Sequence, residues 1–293
     1  MDGVPAPLET AMASRPLPLF QTALRWVALL LIAGLVMVVP ASRAAADLDE
    51  ILQRQVLRVG LPSTESQPFL TTDSAGVLGG YEGELVRALA ARLPVRLEID
   101  RSAADADALV AAVRAGKVDV AFGQIADTLE RARGVRFSRP YLHVREARVF
   151  DRMVLARAGG EVPHLARQPL RVAVTAGSAF AESFRVAYPS AEMVAFPGIT
   201  EALAEVAAGR VAVFVADEVS VARWWQTHPA SAIRLETRVH RERDVSYAAA
   251  VHWRAERLQA WLDLFFDKCE RDGTFAGLRE RHLETESPKE EVR

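Results

Sequence analysis

The sequence predicts an α/β protein of two lobes, each a mainly parallel sheet flanked by helices, with two interlobe crossover strands. Three observations carry that prediction. Short apolar strands alternate with amphipathic helices, the arrangement that covers both faces of a parallel sheet. The plan occurs twice: LRVGL at 57–61 is echoed by LRVAV at 170–174, and AGKVDVAF at 115–122 by AGRVAVFV at 208–215. Finally, 293 residues that are 50% hydrophobic and 25% charged suffice for two cores and exclude a disordered chain. A net charge of −2, from 36 basic and 38 acidic residues, leaves no basic footprint for nucleic acid. The lone cysteine, Cys269, excludes an intramolecular disulfide and any metal site needing two thiolates.

Residues 1–46 read as a signal peptide. Arg25 precedes an uncharged apolar run at 26–40, and the small-residue stretch ASRAAAD follows. The run is shorter than the roughly 20 apolar residues that span a bilayer. Cleavage is expected after Ala46, with Met1 or Met12 as the start. An uncleaved anchor is the competing reading. No cysteine near the cleavage point could carry a lipid.

The first lobe is expected over 47–150. After the strand at 57–61, a helix over 84–93 places Leu85, Leu89 and Leu93 on one stripe. A second helix over 107–115 groups Leu109, Val110 and Val113 and stops at Gly116, a residue suited to the left-handed cap. The second lobe, 151–247, repeats the order: a strand at 170–174, a helix over 201–208 before Gly209, and the apolar strand VAVFVAD leading into a helix over 218–225. Residues 248–284 return to the first lobe. Their helix over 255–269 aligns Leu258, Leu262, Phe265 and Cys269, which makes the cysteine a core hydrophobe. The polar tail, 285–293, is expected to be disordered. Two such lobes place a cleft outside the carboxyl ends of their strands, where open α/β sheets take ligands.

The motifs fall in a familiar order: LRVG, QPF at 67–69, LGGYEGELVRALAARL at 78–93, and AGKVDVAFGQIADTLERARGVRFSRPY at 115–141. VAVTAGSA at 172–179, AGRVAVFVADEVSVA at 208–222 and DGTFAGLRERHL at 272–283 follow. The chain resembles the family 3 extracellular solute-binding proteins, the amino-acid-binding receptors of ABC importers. The resemblance implies a periplasmic monomer that closes on a small-molecule ligand and delivers it to permease subunits in the inner membrane.

At the family's spacing from Asp119, the T-x-x-R turn ends at Arg131, which the resemblance assigns to the ligand carboxylate. The planar fork of a guanidinium matches a carboxylate independently of kinship. In the second lobe, Gly177 and Ser178 of the T-A-G-S loop fall where the family offers amides and a hydroxyl to an anionic group, although Ser178 also suits a helix N-cap. Asp217 matches an acid that pairs with a ligand amino group, and it too could cap the following helix. Gln124, Ala126, Ser66 and Tyr81 complete the ligand-binding positions. The aromatic clamp usual in the family is missing, because its two places hold Ser66 or Gln67 and Ala106.

The remaining candidates have structural explanations. Glu82 and Glu84 open a helix, where acids favour the macrodipole. Trp224 and Trp225 read as packing residues. The six histidines lack ligand spacing. There is no Gly-rich phosphate loop, so no cofactor or metal is expected. One enzymatic alternative shares the L-E-R-x-R…F-S-x-P-Y pattern of 129–141: the periplasmic cyclohexadienyl dehydratases, for which Asp244 is the nearest candidate acid.

Overall fold

The computed structural model describes residues 46–157 and 170–284. The apolar run at 26–40, the expected cleavage segment up to residue 45 and the polar tail 285–293 lie outside the described residues. Asp47 caps the first helix, α1 (Leu48–Arg54), in a capping box with Glu50. Strand β1 (Val56–Pro62) follows, its five central residues all buried. A small hairpin of β2 (Thr71–Thr72) and β3 (Leu78–Gly79) leads into α2 (Gly80–Ala90).

Helix α2 begins four residues before the position expected from its leucine stripe, for a local reason. Its first amides are satisfied by loop backbone, Tyr81 N–H donating to Pro68 O at 3.1 Å and Glu82 N–H to Phe69 O at 2.8 Å. Gly80 makes this possible: its φ is +78°, and a Cβ there would stand 2.5 Å from Phe69 O.

The first lobe continues through β4 (Arg96–Ala103), α3 (Ala106–Arg114), β5 (Val120–Ala121) and β6 (Val135–Phe137). Asp105 caps α3 by accepting from Ala108 N–H at 2.8 Å, and Gly116 ends it at φ +65°. Asp119, the reference point for the T-x-x-R spacing, is buried. It accepts from the Arg58 backbone at 2.7 Å and from its guanidinium at 2.8 Å, fastening the α3–β5 turn to β1.

The second lobe contains β7 (Leu142–Asp151), α4 (Arg152–Arg157), β8 (Arg171–Thr175), α5 (Phe180–Ala187), β9 (Glu192–Phe196), α6 (Ile199–Ala207), β10 (Val213–Asp217), α7 (Glu218–Thr227) and the long β11 (Leu235–Tyr247). The chain then returns through β12 (Ala250–His252), α8 (Glu256–Arg271) and α9 (Thr274–His282).

The two five-stranded sheets share one layout. In the first, the order is β4-β1-β5-β12-β6; in the second, β9-β8-β10-β7-β11. Three parallel strands are followed in each by one antiparallel return strand, β12 or β7, and an edge strand antiparallel to that return. Each sheet is therefore mainly parallel in strand direction. Residues 142–150, assigned from sequence to the first lobe, form most of β7 and pair in the second sheet instead. Composition does not mark the change, because β7 mixes Arg145, Glu146, Arg148 and Asp151 with apolar residues and carries no local sign of either lobe.

Strands β7 and β11 pair along nearly their whole length, with an irregularity between His240 and Asp244. Where they reach the first lobe, Tyr141 N–H donates to Tyr247 O at 3.0 Å, Ser138 N–H to Ala249 O at 2.9 Å, and Ala248 N–H to Ile125 O at 3.0 Å. These backbone bonds tie the crossover to the β5–β6 loop that carries Arg131.

Candidate functional site

Arg131 lies in a single 3-10 turn, Arg131–Arg133, whose start is held by Arg131 N–H donating to Thr128 Oγ1 at 3.3 Å. Its side chain is only 10% exposed. One Nη1 proton goes to Ala126 O in its own lobe at 3.2 Å, and Nη2 donates to Gly177 O of the second lobe at 2.6 Å. Nε and Nη2 also converge on Oδ1 of Asp107, at 3.1 and 2.8 Å. One guanidinium thus joins both walls of the cleft while gripping a carboxylate on its flat edge.

Gly177 can approach because neither it nor its counterpart carries bulk. Its φ is +68°, and a Cβ there would lie 3.0 Å from Asp105 Cβ and 3.1 Å from Ala106 N. Ala106 is one of the two places expected for an aromatic clamp. A large ring there would hold the T-A-G-S loop away, so the small residue and the close contact belong together. Ser178, beside it, accepts through Oγ from Phe180 N–H at 3.2 Å, one residue ahead of Ala179, the N-cap of α5. Across the opening of the cleft, the Arg223 guanidinium of α7 donates to Gln67 Oε1 at 3.3 and 3.4 Å, a second contact between lobes.

Asp217 ends β10 and is 4% exposed. It accepts from Ser220 N–H at 2.6 Å and Ser220 Oγ–H at 2.8 Å, capping α7, and receives the Tyr247 hydroxyl at 3.4 Å. Burial raises its pKa against the lowering effect of these bonds. Tyr247 in turn pairs with Ala126 in a single bridge, so Asp217, Tyr247, Ala126 and Arg131 form one connected chain through the base of the cleft.

Gln124 occupies the left-handed region at φ 55°, a conformation that costs energy for a side-chain-bearing residue. What holds it is Glu82, whose Oε1 accepts the Gln124 N–H at 2.7 Å and the Tyr141 hydroxyl. Gln124 Nε2 then donates to Ser66 Oγ at 3.3 Å, which brings two of the expected positions together.

Glu82 was missed by reasoning from helix ends, yet it carried a signal. With Leu85, Val86 and Leu89 it forms an i, i+3, i+4, i+7 series, so the acid stands on the buried stripe of α2 and is fully buried. Burial raises its pKa, and the Asp217 charge adds to the effect. Glu84, by contrast, faces Arg281 and His282 on α9, and those partners lower its pKa against a desolvation cost.

Tyr81 is a correction. It is fully buried, donates its hydroxyl to Tyr141 O at 2.9 Å and stacks on the Tyr141 ring at 6.3 Å, so it supports the crossover from inside the first core. Burial raises its pKa. Trp224 packs in the second-lobe core, and Trp225 donates its indole N–H to Thr237 Oγ1 at 2.8 Å. Cys269 is buried, and desolvation pushes its thiol up to about 11.

A cavity of about 650 Å³ lies between the lobes on the outer side of Arg131. Of the expected ligand-binding residues, Arg131, Gly177 and Ser178 line it, whereas Ser66, Gln124, Ala126, Asp217 and Tyr81 do not. Asp244 is exposed on β11, paired in register with Arg145, and does not line this cavity either.

Residues 57–285 match the bacterial extracellular solute-binding proteins, family 3. The chain belongs to that family. Among curated relatives, a "probable amino-acid ABC transporter-binding protein" of Haemophilus influenzae is 24% identical over 195 residues, covering 66% of this chain and 72% of that one. Among solved structures, an ancestral amino-acid-binding protein, described as a precursor of cyclohexadienyl dehydratase, aligns with a TM-score of 0.68 at 26% identity. That alignment covers 81% of this chain and 99% of the ancestral one. The solute receptor for L-cysteine of Neisseria gonorrhoeae aligns with a TM-score of 0.67 at 23% identity, over 81% of this chain and 94% of its own. Solute receptors thus share the fold over about four-fifths of this chain.

Proposed function

We propose that this family 3 receptor captures a small carboxylate-bearing solute, an amino acid, between its lobes in the periplasm and presents it to an ABC permease. The observation that carries this reading is the Arg131 guanidinium, held by both lobes and already gripping a carboxylate, that of Asp107, on its planar edge. The Asp107 side chain is 69% exposed and can yield its place to a ligand carboxylate with little desolvation cost. Hinge closure over that group then brings Gly177 and Ser178 down upon it and reports occupancy to the permease.

The acid that the dehydratase pattern pointed to is badly placed for that chemistry. Proton transfer needs an acid or base within hydrogen-bond reach of the leaving group, and Asp244 stands exposed outside the cavity. The protein is read as a receptor that releases its ligand unchanged.

Thermal unfolding of the mature protein, from Asp47 onward, against panels of amino acids and organic acids tests the proposal. A ligand present at 100 times its Kd stabilises by about 2.7 kcal/mol. A flat response across both panels would overturn the carboxylate-receptor reading.

A further inference from the structure

The cavity outside Arg131 has a charge pattern that the capture of a single carboxylate does not explain. Its lining includes four arginines, Arg114, Arg131 and Arg133 from the first lobe and Arg185 from the second, against the two acids Asp107 and Glu130. Four guanidinium groups thus face two carboxylates, one of which, Asp107, pairs with Arg131 in the absence of ligand, and among the described residues Arg114, Arg133 and Arg185 make no ion pair within 4 Å.

The placement of Arg114 depends on a residue without a side chain. A Cβ on Gly134 would come within 2.7 Å of Arg114 Nε, so the arginine lies directly against the turn that carries Arg131 and Arg133. Arg185 approaches from α5, on the opposite wall. Bringing like charges together as two lobes meet is unfavourable unless an anion lies between them, and the cost grows as water is excluded. The rest of the lining is small or aliphatic, with Val110, Ala111, Val174 and Ala195 among it, and it contains no aromatic ring. Such walls offer little to an aromatic side chain, and two acids outnumbered by four arginines are a poor counterpart for a cationic one.

We infer that the ligand is a small dianionic acid, with one carboxylate on Arg131 and a second anionic group among Arg114, Arg133 and Arg185. This inference rests on the carboxylate-receptor reading and names its substrate class. About 650 Å³ is ample for a molecule of that size.

The test is calorimetric titration of the mature protein with L-glutamate, L-aspartate and succinate beside L-glutamine, L-lysine and L-arginine. At least tenfold tighter binding of glutamate or aspartate than of glutamine is expected when amino acids are recognised, and succinate binding with no amino-acid binding identifies a plain diacid. Either selectivity should shrink toward parity in Arg133→Gln and Arg185→Gln. Glutamine, lysine or arginine binding as tightly as the diacids would overturn the inference while leaving the receptor reading intact. Selectivity unchanged in both variants would overturn the assigned subsite. If no compound binds and the thermal panels are also flat, both readings fall together.

Discussion

Arg131 holds Oδ1 of Asp107 through Nε and Nη2, at 3.1 and 2.8 Å, so an internal carboxylate occupies the edge of the fork that suits a ligand. Asp107 is mostly exposed, and exposed ion pairs contribute about 0.2–1 kcal/mol. Any ligand carboxylate must displace it at that cost. Asp107→Asn is therefore expected to tighten binding of a carboxylate ligand about two- to fivefold without lowering Tm appreciably. Titration calorimetry on the variant decides the matter, and weaker binding would show that Asp107 assists the ligand instead of competing with it.

Arg131 makes a different demand. Its donors serve Ala126 O, Gly177 O and a carboxylate at once, which the three protons of a lysine ammonium cannot reproduce in that fork. Arg131→Lys should weaken ligand binding nearly as much as Arg131→Ala, each by about 2–5 kcal/mol. Circular dichroism should show both variants folded, because the lobe cores do not depend on the side chain. Wild-type affinity in Arg131→Ala would remove the residue from the site.

Glu82 and Asp217 give the protein a pH dependence of definite sign. Both are buried and both have raised pKa values, so the folded state binds their protons more tightly than the unfolded chain does. Their contribution to stability is fully present below the unfolded carboxylate range, near pH 4, and is lost as pH rises through the folded values. Glu82→Gln keeps an oxygen for Gln124 N–H and the Tyr141 hydroxyl while removing the charge. The variant should melt above wild type at pH 8, with the difference closing by pH 4. A lower melting temperature at pH 8 would mean that the carboxylate is stabilising.

How much of this was legible in sequence differs between elements. The duplicated strands and Ala-Gly helices survived intact because their signals are local: apolar runs for buried strands, 3.6-residue stripes, and glycines at left-handed caps such as Gly116 and Gly209. The crossover was placed late because β7, with Arg145, Glu146, Arg148 and Asp151 among its apolar residues, carries no local mark of either lobe, and only its partners β10 and β11 show to which sheet it belongs. At the site, Arg131 meets Ala126 O and Gly177 O, and Gln124 separately meets Ser66, while of the positions the motifs implied only Arg131, Gly177 and Ser178 line the cavity. Tyr81 and Glu82 both serve as buried supports, since a start of α2 set by Gly80 turns Glu82 toward the Gln124 loop and buries Tyr81 beneath the crossover. The pairing of Arg131 with Asp107 could not be read, because 24 residues separate them and neither carries a local mark of the other.

Asp47 links the start of the described chain to its last long helix. It caps α1, accepting from Leu48 N–H at 2.8 Å, and also accepts from Leu258 N–H at 2.8 Å and Arg257 N–H at 3.2 Å in the first turn of α8. Loss of one N-cap typically costs about 1 kcal/mol. Asp47→Ala removes caps from two helices and should cost about 2 kcal/mol, measurable by urea unfolding. Cleavage after Ala46 would leave this residue in place as the new N-terminus, whereas cleavage two residues later would impose the same loss.

Gly177 is the point at which shape, not charge, governs closure. Its φ of +68° disfavours any side chain, and an added Cβ would press on Asp105 and Ala106 at about the limit of tolerated contact. Because Gly177 O also takes a proton from Arg131 at 2.6 Å, displacing the loop breaks the shortest polar contact between the lobes around that guanidinium. Gly177→Ala should therefore weaken ligand affinity by about tenfold or more while each lobe keeps its own core, since neither sheet includes this loop. Small-angle scattering provides the second readout. Wild-type receptor should contract on saturation with its ligand, and the variant should contract less at equal saturation. Equal contraction and equal affinity would show that the loop has room to spare and that the small residues at 106 and 177 are not what brings the lobes together.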